Sequence, residues 1–404
     1  MSLMPVEEAR ARILSGAATL GSESVPLMQA HGRVLAGAVA ATRTQPPFAA
    51  SAMDGYAVRA QDVASVPVQL RVTGDIPAGF VHPGTLGAGE ALRIFTGAPV
   101  PDGADAIVIQ EDTSREGDIV TVKEAAKPGD HIRPAGLDFA QGDVLLEPGT
   151  RLSPRHLALA AAMNHAALPV HRRPRVGVLA TGDELVLPGE EPGPGQIISS
   201  NSIGIAAFVE RCGAVAVDLG IARDTTQSLA ECIARARSEK VDVLVTLGGA
   251  SVGDHDLVMQ ALKDEGMSLD FWRIAMRPGK PLMFGRLGDM HVMGLPGNPV
   301  SAMVCARVFL LPLLLALQGL DSEETLGQFA RAGSDLKANT LRQHYMRAEL
   351  TRDGDGVLTA TPFSEQDSTM LALLARADCL IVRPPNAFAA SAGDMVQIIG
   401  LDSI

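Results

Sequence analysis

VDVLVTLGGASVGDHD (241–256), FWRIAMRPGKPLMFGRL (271–287) and HVMGLPGNP (291–299) are the stretches that decide the fold. Three apolar runs, Val241–Leu247, Leu269–Ala275 and Leu282–Phe284, each meet a turn built from Gly, Pro, Ser or Asn. Short apolar runs bounded this way read as buried strands of an α/β sheet. Glycine at such turns lets backbone N–H groups face an anion with no side chain in the way. In an open α/β sheet, ligands sit outside the carboxyl ends of the strands. Gly248-Gly249-Ala250-Ser251-Val252-Gly253, Pro278-Gly279-Lys280 and Pro296-Gly297-Asn298-Pro299 are therefore expected to line one crevice. Asp254, Asp256, Arg277 and Lys280 bring both signs of charge to it, which suits a phosphorylated ligand held with a divalent cation.

Upstream, RVGVLATGDEL (175–185) reads as a buried strand and a turn, SSNSIGIAAFVERCG (199–213) as a capped amphipathic helix, VAVDLGIARD (215–224) as a strand and TQSLAECIARARSE (226–239) as a helix. This alternation implies a parallel, three-layer sheet with right-handed crossovers. Glu184, Asp224 and Asp254/Asp256 each fall just past a strand end, so three acidic positions meet at one edge. Acidic residues also favour helix starts, and capping competes with a metal or acid/base role. Lys280 behind Pro278-Gly279 reads as either a surface lysine on a turn or an anion donor, and Arg277 adds a planar fork. No GxxxxGK[ST], GxGxxG or HExxH pattern occurs, which leaves P-loop, dinucleotide-binding and zincin readings without support. Ser251 has His255 nearby but no third partner, so it reads as a binding residue and not as a nucleophile.

Towards the N-terminus, Pro5–Leu14 has helical spacing, and Val25–Val39 reads as a second short helix ending near Gly37. TRTQPPFAASAMDGYAVRAQD (42–62) reads as a loop entering a new domain, with Asp54-Gly55 as a turn pair. Val68–Val72, Ala91–Phe95, Ala106–Ile109 and Ile119–Val122 are β-like runs between Gly/Pro/Asp clusters, which suggests a small barrel or sandwich. Arg155–Asn164 is a helix behind Ser153-Pro154. Val300–Leu317 is an apolar helix that Pro312 is expected to kink, and its longest apolar run, Val308–Leu317, is too short for a bilayer. From Ser322 the runs Leu341–Leu350, Val357–Thr361, Cys379–Val382 and Met395–Ile398 read as a small all-β domain.

At 404 residues the chain exceeds one core. It is 47% hydrophobic and 20% charged, a globular balance. Aromatics at 3% leave little for base stacking, and a net charge of −12 argues against binding nucleic acid or anionic membrane. An anionic ligand would then need a locally basic pocket or a metal. Cys212, Cys232, Cys305 and Cys379 are scattered, as in a cytoplasmic protein, and MSLMPVEEARARIL lacks the apolar core of a signal peptide.

Seven motifs, in order, carry a family resemblance: PPFAASAMDGYAVR (46–59), RIFTGAPVPDGADAIVIQED (93–112), ATGDEL (180–185), SSNS (199–202), GGASVGDHD (248–256), RPGKP (277–281) and GLPGNPVSA (294–302). Over essentially its whole length the chain resembles the molybdopterin molybdenumtransferases, the MoeA family, relatives of the gephyrin E-domain. The resemblance implies a multidomain α/β plus β fold: an elongated linking domain of 1–44 and 134–172, a small β domain of 45–133, a central three-layer α/β molybdopterin-binding domain of 173–321 and a C-terminal β-barrel domain of 322–404. It also implies a homodimer whose site is shared between subunits, with Asp54 facing the opposite subunit. The implied reaction takes adenylylated molybdopterin and molybdate, releases AMP with Mg²⁺ and inserts molybdenum. A molybdopterin adenylyltransferase is the partner expected to hand over the substrate. Asp54, Glu184, Asp224 and Asp256 match the family's functional acidic positions and are expected to hold Mg²⁺ and place a water. Lys280 matches its phosphate- or molybdate-binding lysine. Thr96 and Arg133 are expected to add polar contacts, Pro296 and Pro299 to shape the pterin loop, and Ser368 to join the site. Arg277 stands where many members carry Lys, GGASVG replaces GGVSVG, and Ala49 stands where an Asp or Asn is common. A catalytically inert scaffold on the same fold, and a paralogue using tungstate, are the alternatives.

Overall fold

The computed structural model describes residues 3–248, 257–321, 327–352, 354 and 356–402. Gly249, Ser251, Asp254 and Asp256 lie outside the described residues. The chain forms two compact units, one of Met1–Glu23, Gly32–Ala36 and Val170–Ile404, the other of Ser24–His31 and Gly37–Pro169.

The larger unit is built on a six-stranded sheet in the order Val215–Ala222, Arg175–Thr181, Val243–Leu247, Met290–Leu295, Met283–Leu287, Ser268–Trp272. The first four strands are parallel, as the strand–helix alternation implies. Met283–Leu287 is antiparallel to both of its neighbours, Met290–Leu295 and Ser268–Trp272, which corrects the all-parallel expectation. The cause is local: Gly288-Asp289, with Gly288 at φ 63°, is a two-residue connection, and such a connection joins only antiparallel neighbours.

Alternate side chains of these strands feed two cores, since successive strand residues point to opposite faces. On one face, Val178, Val245 and Leu295 pack with Ile205 and Phe208 of Asn201–Arg211, Ile13 of Val6–Ser15 and the helical stretch from Pro299 to Leu317. On the other, Leu179, Leu244 and Val292 pack with Leu229, Ile233 and Ala236 of Thr226–Ser238 and with Val258 and Leu262 of Leu257–Asp264. The result is the expected three-layer sandwich. Pro299–Leu317 is longer than its longest apolar run suggests and is long and apolar enough to cross a membrane, yet 89% of its most apolar 18-residue stretch is buried within the protein, as in a core helix. Its irregularity is a π turn, Ala306–Leu310, in place of a simple kink. Pro312 has no N–H to donate, and the turn just before it closes on Leu311 N–H donating to Ala306 O.

The C-terminal strands form a closed five-stranded barrel: Gln343–Arg352, Leu358–Pro362, Gln328–Ala332, Met395–Gly400 and Cys379–Arg383, the last pairing back to the first. Met276–Arg277 adds to its rim in parallel with Gln343–His344. The barrel interior holds Ala330, Ala348, Ala360, Ile381 and Ile398.

In the smaller unit the all-β expectation holds, as one six-stranded mixed sheet and not as a barrel or sandwich. Its order is Ala106–Ile109, Gly55–Val58, Glu90–Ile94, Val68–Ile76, Ile119–Val122, Thr113–Glu116. Tyr56, Val58 and Val108 pack on one face and Ala57, Leu92 and Ile107 on the other, so a single sheet buries both sides. Val25–Val39 forms no α-helix; the chain is extended at Ser22–Pro26, makes one 3-10 turn at Leu27–Gln29 and extends again at Val39–Ala40. Three β-branched valines, Pro26 and Gly32 at φ 73° oppose a helix there.

Candidate functional site

Four parallel strands end side by side at one edge: Thr181 is in register with Ala222, and Leu247 with both Ala180 and Leu295. The chain leaves Arg175–Thr181 towards Val215–Ala222 on one side and later returns to Val243–Leu247 on the other, so a topological switch point falls there. A crevice of about 530 Å³ opens at that point. Glu184, Gly248, Pro296, Asn298 and Pro299 line it, five of the residues singled out from the sequence. Its walls are apolar at Leu185, Ile197 and Ile198, and two helix starts, Asn201 and Pro299, open onto it. The first N–H groups of a helix have no intrahelical acceptor and favour anions.

Backbone geometry holds these loops close. Gly248 has φ 97°, and a Cβ there would lie 2.9 Å from Thr181 O. Gly182, at φ 143°, sits against Glu184, whose Oε2 would be 2.2 Å from a Cβ. Asn201 Nδ2 donates to Gly297 O at 2.6 Å, which ties the SSNS turn to the PGNP turn. Asn298 Nδ2 donates to Ser368 Oγ at 3.0 Å, and Val300 N–H donates to Ser368 O at 3.2 Å. Ser368 thus reaches the crevice through the PGNP turn. Its own loop is pinned by Arg347, only 1% exposed, which donates to the carbonyls of Glu365, Asp367 and Met370.

Asp224 is exposed two residues past Ala222, and its N–H donates to Asp183 Oδ1 at 3.3 Å, so Asp183 links the turns that carry Glu184 and Asp224. Lys280 is exposed, and its neighbour Pro281 lines the crevice. Arg277 is also exposed and pairs with His344 on the barrel rim. Asp183, Asn201 and Arg347 are structural contributors that the sequence did not single out. SSNS and TGD carried a signal for the first two, because both turns follow strands as the glycine-rich ones do. Arg347 carried none.

In the smaller unit, Asp54 Oδ1 accepts from Thr96 N and Thr96 Oγ1, both at 2.8 Å. These bonds, the backbone one first, hold the Asp54 carboxyl below the usual carboxylate range. Arg133 lies on a short strand in register with Ala50, and Ala52 N–H donates to His131 O in the same crossing. Asp54, Thr96 and Arg133 therefore sit on adjoining segments of that unit. Among the described residues, no group of three His, Cys, Asp or Glu gathers as a metal cluster.

Family models match nearly the whole chain: the MoeA N-terminal region (domain I and II) at residues 4–164, a "Probable molybdopterin binding domain" at 177–316 and the MoeA C-terminal region (domain IV) at 330–401. The chain is 39% identical over 384 residues to molybdopterin molybdenumtransferase 2 of Mycobacterium tuberculosis strain H37Rv, covering 93% of this chain and 94% of that protein. The chain belongs to the MoeA family. Another member, the molybdopterin molybdenumtransferase of Haemophilus influenzae, is 34% identical and covers 98% of both chains. The crystal structure of a molybdopterin biosynthesis MoeA protein from Pyrococcus horikosii superimposes with a TM-score of 0.85 at 31% identity, covering 100% of both. As a MoeA-family protein, the chain is a transferase of molybdenum cofactor biosynthesis.

Proposed function

We propose that the chain inserts molybdenum from molybdate into adenylylated molybdopterin, with Mg²⁺-dependent release of AMP. The observation that carries this reading is the crevice at the switch point. Leu185, Ile197 and Ile198 give a wall for a flat heterocycle, and two helix starts face the same space for phosphate. Lys280, exposed on the turn before Pro281, supplies positive charge for the oxyanion in a chain of net charge −12. Asn298 and Ser368 are hydrogen-bonded to each other, and Asn298 stands at the mouth as a polar contact for substrate.

Glu184 and Asp224, with Asp256 and Asp54, would hold Mg²⁺; their carboxylates are the hard oxygen donors it takes, and the cation would offset negative charge at the scissile anhydride. Asp54, ionised and held by Thr96, is suited to orienting a water or accepting its proton. The reading includes a cytoplasmic homodimer with a shared site and an adenylyltransferase that supplies the substrate.

The test is AMP release from adenylylated molybdopterin with Mg²⁺, with and without molybdate. Molybdate-stimulated release that falls roughly a hundredfold or more in Asp54→Ala and Asp224→Ala supports the reaction and the carboxylate roles together. Undiminished release in those variants removes the carboxylates from the mechanism. Absence of release despite tight substrate binding leaves a carrier in place of a transferase.

A further inference from the structure

One end of the C-terminal barrel gathers cations that, among the described residues, no carboxylate pairs with. Arg277 is in register with His344 across one ladder, and His344 with Arg383 across the next. Residues paired across strands present their side chains to the same face, so the three form a row over three strands. Met346 and Ala348, in phase with His344, and Ile381, in phase with Arg383, face the barrel interior. Tyr345 and Val382, out of phase, face the α/β core instead. The row therefore crowns the barrel at its rim, and Arg342 stands two residues ahead of His344 in the same segment.

Arg383 is only 7% exposed, and its guanidinium donates to the carbonyls of Lys337 and Phe388. Among the described residues its buried Nε meets no acceptor. Among the described residues, none of Arg277, Arg342, His344 and Arg383 takes part in an ion pair within 4.0 Å. Asp335 and Asp394, the acidic residues flanking this rim, accept the backbone N–H groups of Ala392 and Ser391 instead. Clustered like charges without counter-charge are unfavourable, and a buried donor without an acceptor is costly. Both features are relieved by an anion. Arg342, His344 and Arg383 do not line the crevice.

We propose that the barrel rim formed by Arg277, Arg342, His344 and Arg383 is a binding site for a tetrahedral oxyanion, either a free ion or the phosphate of a nucleotide monoester. Planar guanidinium forks match such oxygens, and a neutral imidazole still donates one N–H. His344 also provides the reporter. Burial first, then Arg277, Arg342 and Arg383, push its pKa down to about 4. A bound anion would raise it and move its ring resonances.

The experiment follows the imidazole NMR signals of His344 in the full chain, assigned with His344→Gln, during titration with molybdate, inorganic phosphate or AMP. A saturable shift is expected, weakened about tenfold in Arg342→Gln, the equivalent of one charge-assisted hydrogen bond. Arg342 is partly exposed, so this variant tests charge without emptying the core. A response to the inorganic ions alone identifies a free-oxyanion site, and a response to AMP alone a phosphate-monoester site. No saturable shift with any of the three, or an unchanged affinity in Arg342→Gln, overturns the proposal. Loss of the shift in Lys280→Gln would overturn it too, by assigning the anion to the crevice.

Discussion

At the scale of the residue, glycines and short polar side chains set the site. Gly279, at φ 102°, packs so closely that a Cβ would lie 2.4 Å from the Sγ of buried Cys305. Gly279→Ala meets both a strained backbone and a clash, and is expected to cost roughly 1–3 kcal/mol, read as a lower urea midpoint at unchanged slope. Asp54 owes its depressed pKa first to the Thr96 backbone N–H and next to the Thr96 hydroxyl. Thr96→Val removes only the second donor. The Asp54 carboxyl should then titrate at higher pH than in the wild type while staying below an unstructured aspartate, as carboxyl ¹³C shifts would show. Equal titration in the two proteins would exclude the hydroxyl as a contributor. Both effects were hidden in the sequence, because Asp54 and Thr96 are 42 residues apart and Asp54-Gly55 is equally good as a turn pair.

At the scale of the element, periodicity was informative and connection geometry was not. The 3.6-residue spacing of Leu229, Ile233 and Ala236 and the short apolar run of Val241–Leu247 gave their helix and strand to within two residues. The antiparallel turn of the sheet depended on Gly288-Asp289, and the missing helix at Val25–Val39 on its β-branched valines with Pro26 and Gly32. The Ser368 loop is a further case: its shape comes from Arg347 on the strand Gln343–Arg352, 18 to 23 residues away in sequence from the carbonyls it holds. Arg347→Met should leave three loop carbonyls without donors and so, in the proposed reaction, raise KM for the molybdopterin substrate more than it lowers kcat. An equal fall in kcat and kcat/KM, with KM unchanged, would instead point to a direct role for Arg347 in the chemical step. Leu314, wholly buried in the long apolar helix, is expected to cost roughly 2–5 kcal/mol on Leu314→Ala by calorimetry or urea unfolding.

At the scale of the whole molecule, buried imidazoles link stability to pH. His291 is 3% exposed; its burial and then Arg286 lower its pKa to about 4, and His344 falls to the same range. Both stay neutral when folded but take up a proton near 6.5 when unfolded. The unfolded state therefore binds more protons between pH 6.5 and 4, so stability should fall as pH is lowered through that window and level off below it. His291→Gln should flatten the fall in urea midpoints measured from pH 7 to 4; an unchanged slope would remove His291 as its source. The sequence by itself determined the family, the three-layer and barrel architecture, and the edge at which the crevice lies, because burial patterns and turn residues are local and repeat with the period of each element. Only the tertiary structure decided the mixed strand directions, the π turn before Pro312, the Asp54–Thr96 and Asn298–Ser368 bonds, and the row of cations on the barrel rim. Those features depend on which distant residues meet across strands, and register between strands is fixed by packing of the whole core, not by the order of residues along any one of them.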